Sequence, residues 1–231
     1  MSLLVLGIFY QRESDYLERS LIGARWERMN TLEKDDIFQL RRLGSDLKFL
    51  VLEMEKVLAG GKPASEAKTL FENFARSSER YDQIRFIDSD GMEQVRVNWS
   101  PGGGAEIVKE GDLQRKSNRY YFAESIGLGP GEIYVSALDL NEERGSVEMP
   151  LKPMLRLASP VRGQDGQIEG IIVMNFLARL LLNVPEGGSL MMVDYRGDWM
   201  TGGDPENHWG SQLGHGRSFA KSFPSVWSDL Q

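Results

Sequence analysis

The sequence predicts a mixed α+β fold (α/β in the broad sense), in which a long N-terminal helix is followed by antiparallel sheets arranged in two lobes. Three patterns predict it. Apolar residues at heptad spacing early in the chain are typical of a helix. Alternating apolar segments joined by Asp/Gly turns then indicate β-hairpins. One turn motif, first found at Asp88, returns at Asp194, and a chain of 231 residues suits one large domain or two small ones.

The composition excludes several classes of protein. With 41% hydrophobic and 26% charged residues, the chain resembles ordinary folded proteins and differs from disordered or collagen-like ones. Its net charge of -7 repels phosphate backbones, so we expect no nucleic acid partner. Without cysteine it can form no disulfide or cysteine zinc site, and only His208 and His215 could serve a triad or a metal centre. We therefore predict no catalytic residues, no metal and no cofactor.

Residues 1–60 are predicted to form the long helix. No proline interrupts residues 11–59, and Gly60-Gly61-Lys62-Pro63 supplies the glycine and trailing proline of a helix end. A second helix is predicted over residues 64–78. A long helix packed on its own domain explains its apolar stripe as well as a homodimer through this helix does, so both interpretations stay open. The stripe consists of Leu40, Leu43, Leu47, Leu50, Met54 and Val57.

The apolar tract from Leu3 to Tyr10 is too short to span a membrane, which takes about 20 residues. It also lacks the basic start and small-residue cleavage site of a signal peptide. Either it is the end of a longer transmembrane segment, or it is a helix start that packs on the core.

Two β-hairpins are predicted after the helices. The first joins residues 84–87 to residues 93–99 through the turn Asp88-Ser89-Asp90-Gly91. The second joins residues 154–161 to residues 168–176, whose continuous apolar run indicates a central strand.

The motif Ile87-Asp88-x-x-Gly91 repeats as Val193-Asp194-x-x-Gly197. Two related lobes would each begin with the same hairpin and so explain the repeat. A generic turn signal would also explain it, because Asp and Gly dominate tight turns in general.

Between the hairpins the sequence predicts a helix from Asp112 to about Ser125, a strand over residues 133–136 and an exit loop from Asp139 to Asn141. Helix, hairpin, helix and three-stranded meander follow one another in the order of a PAS-like sensor lobe.

Several motifs lie between residues 82 and 227. They are Lys116-Ser117-x-Arg119-Tyr120-Tyr121-Phe122, Gly131-Glu132-Ile133-Tyr134-Val135-Ser136-x-x-Asp139-Leu140-Asn141, Pro150-x-Lys152-Pro153-Met154-x-Arg156, Asp194-x-x-Gly197-x-Trp199 and Asp204-Pro205-Glu206-x-x-Trp209-Gly210. Together they resemble the double Cache sensor region of bacterial histidine kinases and diguanylate cyclases. The resemblance implies a membrane-distal PAS-like ligand-binding lobe over residues 61–182 and a truncated membrane-proximal lobe over residues 183–231.

The same resemblance implies a sensor that is not itself an enzyme. It puts this region in the periplasm, as part of a bacterial inner-membrane receptor held by flanking transmembrane helices, with Leu3 to Tyr10 as the outer end of the first. Ligand binding would then send a signal to a cytoplasmic histidine kinase or diguanylate cyclase.

The ligand site is predicted around Arg119. In the amino-acid-binding members of the family, an Arg-x-Trp-Tyr element holds the ligand carboxylate. Arg119 matches it, whereas Tyr121 and Phe122 replace its two aromatic residues, so an amino acid is one option and another organic acid is the other. A guanidinium group beside aromatic rings can bind a carboxylate through two hydrogen bonds. The predicted site comprises Arg119, Tyr121, Tyr134, Ser136, Asp139 and Arg156.

Several of these residues have an expected role in ligand binding. Asp139 could accept a ligand ammonium group on which Tyr134 stacks, and Arg156 could add a second contact to an anion. Arg119 could instead form an ion pair with a structural carboxylate such as Asp139.

Three other interpretations remain open. The chain could be a structural or dimerisation module whose pocket is filled by its own side chains. It could be a hydrolase that uses carboxylates such as Asp139 and Glu143 as acid and base. Asp204, Glu206 and His208 alternate along the chain and could together hold a metal ion.

Overall fold

The computed structural model describes residues 38–143, 145–180, 191–201 and 204–229. Helix α1 covers residues 38–59. The other helices of the described segments are α2 (Lys68–Ser78), α3 (Tyr120–Ile126), α4 (Phe219–Ser222) and α5 (Pro224–Asp229). The strands are β1 (Tyr81–Asp88), β2 (Glu93–Ser100), β3 (Gly104–Ile107), β4 (Tyr134–Val135), β5 (Asp139–Leu140), β6 (Glu142–Glu143), β7 (Ser146–Val147), β8 (Pro153–Arg162), β9 (Ile168–Leu177), β10 (Met192–Val193) and β11 (Trp199–Thr201).

Helix α1 buries one side, as its apolar stripe predicts. Leu47, Leu50 and Met54 are fully buried, whereas Leu40 near the start is 40% exposed. Burying a leucine or methionine side chain stabilises a fold by roughly 1.5–3 kcal/mol, so these three residues contribute strongly to the core. The helix ends where predicted, because Gly61 takes a φ of +64°, which glycine adopts without strain.

The apolar tract from Leu3 to Tyr10 and the predicted helix before residue 38 lie outside the described residues. Among the helices that the structure describes, none has the length and hydropathy of a membrane span.

Seven strands form one antiparallel sheet, which confirms the predicted fold class. The order is β3-β2-β1-β9-β8-β4, with β5 also pairing with β8. Both predicted hairpins are present, as β1-β2 and β8-β9, and the apolar strand β9 is central. In this register Gln83 of β1 pairs with Asn98 of β2 on one side and with Asn175 of β9 on the other. Asn175 pairs in turn with Arg156 of β8. One polar row therefore crosses four strands.

The part of α1 from Gly44 onwards and helix α2 cover one face of this sheet, called here the helix face. The Tyr81 ring packs on Phe74 of α2 and Phe176 of β9, with ring centroids 5.9 and 6.2 Å away. Its hydroxyl donates to the Asp46 carboxylate of α1 at 2.6 Å. Phe71 of α2 is fully buried. The helix face is therefore mostly apolar.

Helix α3 covers the opposite face, called here the α3 face, and begins later than the sequence predicts. It starts at Tyr120 instead of Asp112 because the segment before it bonds to the β1-β2 turn, where the Lys116 amide donates to the Gly91 carbonyl at 2.6 Å. A backbone group used in this way is not available to a helix. The helix packs in an apolar cluster of Ile87, Tyr121, Phe122, Ala158, Ile171 and Val173.

The repeated turn motif has the same hydrogen bonds at Asp88 and at Asp194. In both turns the aspartate Oδ1 accepts from the backbone amides two and four residues further on. The motif glycines, Gly91 and Gly197, have φ values of +82° and +83°, and an added Cβ would lie 2.5 Å from a neighbouring side chain in each case. This agreement supports two related lobes, while the boundaries between them stay a prediction.

Candidate functional site

A cleft of about 180 Å³ opens on the α3 face of the sheet and is called here the α3 cleft. Polar side chains of the central strands, the segment before α3 and the loop after β5 surround it. Its lining consists of Gln83, Arg85, Gln114, Arg115, Lys116, Asn118, Arg119, Tyr121, Asn141, Glu142, Gly145, Arg156 and Asn175.

Arg85, on β1, is the buried cation of this cleft and is 3% exposed. Its Nη1 donates to the Tyr121 hydroxyl at 3.1 Å, and its Nη2 donates to Asn175 Oδ1 at 2.5 Å. The Nε atom is buried and has no hydrogen-bond partner among the described residues, and the Glu93 carboxylate lies 3.9 Å from Nη1. A buried donor without a partner lowers stability, so the neighbours of this guanidinium compensate it only in part.

Arg119 lines the α3 cleft as the residue just before α3. Its Cζ atom is 6.0 Å from the centre of the Tyr121 ring, and the Cζ atom of Arg85 is 5.3 Å from the same centre. Both distances allow a cation–π interaction. Two guanidinium groups therefore flank one buried phenol ring, an arrangement that can hold a carboxylate.

Arg156 also lines the cleft, but its charge is already paired. Its Nη1 bonds to the Asp139 carboxylate and donates to the Tyr120 hydroxyl at 3.2 Å, and its Nη2 donates to Asn141 Oδ1 at 3.1 Å. Burial acts to lower the pKa of Arg156, but the charge and hydrogen bond of Asp139 together with the Tyr120 and Tyr121 hydroxyls outweigh it and raise that pKa. Burial raises the pKa of Tyr120 to about 12, so this hydroxyl stays protonated and donates to Asp139 at 3.0 Å.

Tyr134, Ser136 and Asp139 are not in the lining of the α3 cleft. Tyr134 packs on the apolar cluster of α3, where burial raises its pKa. The Ser136 Oγ accepts from the Arg156 amide at 2.9 Å and so fixes the backbone behind the cleft. The predicted site residues that the structure brings to the lining are Arg119, Tyr121 and Arg156.

Arg85 and Asn175 were not predicted as site residues, although the sequence contains a signal for both. Arg85 stands between Ile84 and Phe86, and Asn175 follows the apolar run of residues 171–174. A polar residue inside an apolar strand marks a buried polar position, because such a residue is rarely placed there without a partner.

A second cleft of about 330 Å³ lies beside the first and shares Gln83 with it. Trp99 lines it, and Lys152 pairs there with Asp82 at 3.2 Å and with Glu148 at 2.6 Å. Burial raises the pKa of Asp82 in spite of Lys152. Burial also acts to raise the pKa of Glu148, but the hydrogen bonds from Lys152 and Asn141 and the charge of Lys152 together outweigh it and lower that pKa. This second cleft therefore contains an ion network of its own.

Asp204, one of the possible metal ligands in this part of the sequence, has another role. The Asp204 Oδ1 accepts from the Glu206 amide at 3.0 Å and caps a short 3₁₀ turn. Within the segments that the structure describes, no group of His, Cys, Asp or Glu residues could hold a metal ion.

A family model described as the sensor domain of bacterial histidine kinases matches residues 61–231. Among curated proteins, none matches the sequence. The family match covers both the α3 cleft and the region of β10 and β11.

Solved sensory domains share the fold. A domain of a sensory box/GGDEF family protein from Vibrio parahaemolyticus is 22% identical, and the match covers 87% of this chain and 83% of that one with a TM-score of 0.62. The periplasmic sensory domain of the Campylobacter jejuni chemoreceptor Tlp1 is 10% identical over 84% of this chain and 77% of that one, with a TM-score of 0.57. The ligand-binding domain of Campylobacter jejuni Tlp3 in complex with 4-methylisoleucine is 11% identical over 73% and 64%, with a TM-score of 0.52.

Proposed function

Because the chain belongs to the bacterial histidine kinase sensor-domain family, and so is an extracellular sensor domain of a bacterial receptor, we propose that it binds a small organic anion in the α3 cleft. Sensor domains of this family are not catalytic by themselves, so the cleft is a binding site for a signal. In this proposal the region is periplasmic, flanking helices hold the receptor in the inner membrane, and the output is a cytoplasmic kinase or diguanylate cyclase.

The charge of the cleft supports an anionic ligand. Among the side chains that the structure describes, its lining contains several arginines and a lysine and a single carboxylate, Glu142. Arg85 is the observation that carries the proposal, because its buried Nε has no hydrogen-bond partner among the described residues. A carboxylate in the cleft would neutralise part of this buried charge.

The loop after β5 offers a route for the signal. Asn141 and Glu142 line the cleft, while the neighbouring Leu140 packs with Met200 and Trp209 of the following region. The Leu140 amide also donates to Gln212 Oε1 at 2.8 Å. A ligand that moves this loop would therefore move residues after position 191 with it. We assign residues 61–182 to the ligand-binding lobe and residues 183–231 to part of the membrane-proximal lobe.

A homodimer through α1 belongs to the same proposal. Phe49 and Leu52 of this helix are 44% and 56% exposed. Apolar side chains on a long helix are a common surface for pairing with a second copy. Sedimentation of the purified chain and of a Leu52→Glu variant would measure this pairing, and equal sedimentation of both would contradict it.

The ligand site can be tested by thermal unfolding with candidate ligands. The panel comprises amino acids, monocarboxylates, dicarboxylates and short fatty acids. A ligand at about 100 times its dissociation constant stabilises the folded state by roughly 2.7 kcal/mol, which is easily seen as a rise in Tm. We expect Arg119→Ala to lose this rise, because it removes one of the two guanidinium groups beside Tyr121.

Arg76→Ala is the matched control, since Arg76 is an exposed arginine of α2 that pairs only with Glu72 in the described contacts. Its rise in Tm should equal that of the natural chain. An undiminished rise in Arg119→Ala would contradict the proposed site. A panel without any rise would favour the second candidate, a structural module, which is supported by the internal pairing of Arg156 with Asp139.

A further inference from the structure

The second cleft adjoins a third cleft of about 270 Å³, and the two differ in the chemistry of their walls. The residues that line both are Asp82, Trp99, Ser100 and Lys152. The other described residues of the second cleft are polar or glycine. Those of the third cleft are apolar except for the exposed Arg179, and they are Pro101, Pro150, Leu151, Pro153 and Leu177. A molecule that extends from one cleft into the other therefore needs a polar end and an apolar body.

Asp82 is a buried carboxylate that lines both clefts, and it is 6% exposed. Strand β1 has a β-bulge here, since its pairing with β9 shifts register between Tyr81 and Gln83. Bulges redirect side chains and are frequent next to active sites. In the part of the chain that the structure describes, Lys152 is the only group that donates to this carboxylate, at 3.2 Å, although a carboxylate can accept about four hydrogen bonds. Burial raises the pKa of Asp82 in spite of Lys152, so its negative charge is compensated only in part.

Trp99, near the end of β2, is the aromatic residue that the two clefts share. It is half-buried, and within the described segments no aromatic ring or cation stacks on its indole. Because Gln83 pairs with Asn98, the next residues along the same two strands are Asp82 and Trp99. Tryptophan is the aromatic side chain that binds cations best through its ring face. A cation beside Asp82 can therefore also contact Trp99.

The cations that line the second cleft already have other acceptors. Lys152 pairs more closely with Glu148, at 2.6 Å, than with Asp82. The Arg96 Nε donates to Asn98 Oδ1 at 3.0 Å. A ligand ammonium group can therefore take the place of Lys152 at Asp82 while Lys152 keeps its bond to Glu148. Neither buried charge then loses its partner.

From this arrangement we infer that the second and third clefts form a further ligand site, which binds a primary amine with an apolar body. The ammonium group contacts Asp82 and the Trp99 ring, and the apolar body lies along the prolines and leucines of the third cleft. A charge-assisted hydrogen bond, a cation–π contact and apolar burial each contribute to binding. Volumes of about 330 and 270 Å³ are close to the roughly 300 Å³ at which small-molecule pockets begin.

This amine site is separate from the site of the proposed function. Of the described residues that line the second and third clefts, Gln83 alone also lines the α3 cleft. The inference therefore goes beyond the proposed function and does not depend on it.

Calorimetric titration of the full chain with matched aromatic ligands tests this inference. Phenethylamine and phenethyl alcohol share one carbon skeleton and differ only in an ammonium or a hydroxyl group, phenylacetate carries a carboxylate, and ethylamine lacks the ring. We expect phenethylamine to bind at least about 10-fold more tightly than phenethyl alcohol, because only the amine gains the charge-assisted bond and the cation–π contact. It should also bind at least about 10-fold more tightly than ethylamine, which buries little apolar surface. Phenylacetate should bind most weakly of the aromatic compounds.

Each other result overturns the inference in a defined way. Equal binding of phenethylamine and phenethyl alcohol would remove the amine from the ligand class. Tightest binding by phenylacetate would assign the third cleft to an anion held by Arg179. Absence of binding by every compound would contradict the amine site and leave the proposed function standing.

An isosteric variant places the amine in these clefts. Asp82→Asn removes the carboxylate with little change of shape, so it should weaken phenethylamine at least about 10-fold and leave phenethyl alcohol nearly unchanged. Asp112→Asn is the matched control, because Asp112 is an exposed aspartate outside the described lining of both clefts, and it should bind phenethylamine as the natural chain does. Unchanged affinity in Asp82→Asn, or an equal loss in Asp112→Asn, would overturn the inference.

Two more variants keep the test decisive. Trp99→Leu retains an apolar side chain but removes the ring face, so it should weaken phenethylamine more than phenethyl alcohol, even if Asp82→Asn fails to fold. Arg119→Ala should leave phenethylamine binding unchanged, because Arg119 lines the α3 cleft. Loss of phenethylamine binding in Arg119→Ala, with Trp99→Leu unaffected, would place the amine in the α3 cleft and overturn the second site.

Discussion

The two faces of the seven-stranded sheet are stabilised in different ways. On the helix face, the rings of Phe74, Tyr81 and Phe176 pack together, and the Tyr81 hydroxyl donates to the Asp46 carboxylate. On the α3 face, Arg85 and Arg156 are buried inside the same sheet. Apolar burial stabilises a fold wherever it occurs, whereas buried charge lowers stability unless its partners are complete. The difference agrees with our proposal, in which the helix face provides most of the stability and the α3 face binds the ligand.

The largest expected effect tests the helix face. Leu47→Ala should lower the free energy of unfolding by about 3–5 kcal/mol, because Leu47 is fully buried and its truncation leaves a cavity. Leu52→Ala on the same helix should change it by less than about 1 kcal/mol, since Leu52 is 56% exposed. Urea unfolding of both variants measures the difference. A decrease in the free energy of unfolding of less than about 1 kcal/mol in Leu47→Ala would mean that this face is not the main source of stability.

A smaller effect is expected when the charge of the α3 face is removed. Arg85→Met should lower the free energy of unfolding by about 2–3 kcal/mol, because it leaves the buried Glu93 carboxylate with less compensation. The double variant Arg85→Met/Glu93→Gln also removes the uncompensated carboxylate, so it should recover part of that loss, although the buried Arg96, whose Nη1 lies 3.9 Å from Glu93, keeps its charge. Both variants should lose the ligand-induced rise in Tm. A double variant as unstable as Leu47→Ala would contradict the contrast between the faces.

The helix face was the more predictable of the two. Heptad spacing identifies Leu47, Leu50 and Met54 as buried, because a helix repeats its faces every few residues and the signal is local in sequence. The hairpins were predictable for the same reason, from alternation and an Asp/Gly turn. The start of α3 was not, since the preceding segment bonds to a turn about 25 residues earlier in the chain.

The site was predictable only in part. Arg119 and Tyr121 were found through a local motif, and the structure places both at the cleft. The pairing of Arg156 with Asp139 depends on how β5 and β8 are aligned, so no local pattern contains it. That pairing decides whether Asp139 is available to a ligand, which is why the sequence left both an amino acid and another organic acid open.

The smallest expected effect is on the pH dependence of stability. It sharpens the contrast between the two faces of the sheet, because only titratable groups respond to pH. The pKa of Glu148 is lower in the folded state than its ordinary value of 4.5, so the ionised carboxylate stabilises the fold. This contribution is fully present above pH 4.5 and is lost as the pH falls through the lower pKa of the folded state. Asp82 acts in the opposite sense. Its raised pKa disfavours the ionised form in the folded state, so protonation favours folding as the pH falls through that raised value towards 3.8.

Glu148→Gln separates these two contributions. At about pH 7 it should lower the free energy of unfolding by less than about 1 kcal/mol, because Glu148 is partly exposed and its pair with Lys152 is screened by solvent. The difference from the natural chain should shrink to nothing towards about pH 2, where Glu148 of the natural chain is protonated in the folded and the unfolded state and is as uncharged as the glutamine. Leu47→Ala should show nearly the same loss at every pH, since no titrating group is changed. Urea unfolding along this pH series measures both. If the stability deficit of Glu148→Gln did not change with pH, Glu148 would stabilise the protein through packing alone. The α3 side of the sheet and the apolar helix face would then be stabilised in more similar ways than the burial of charge implies.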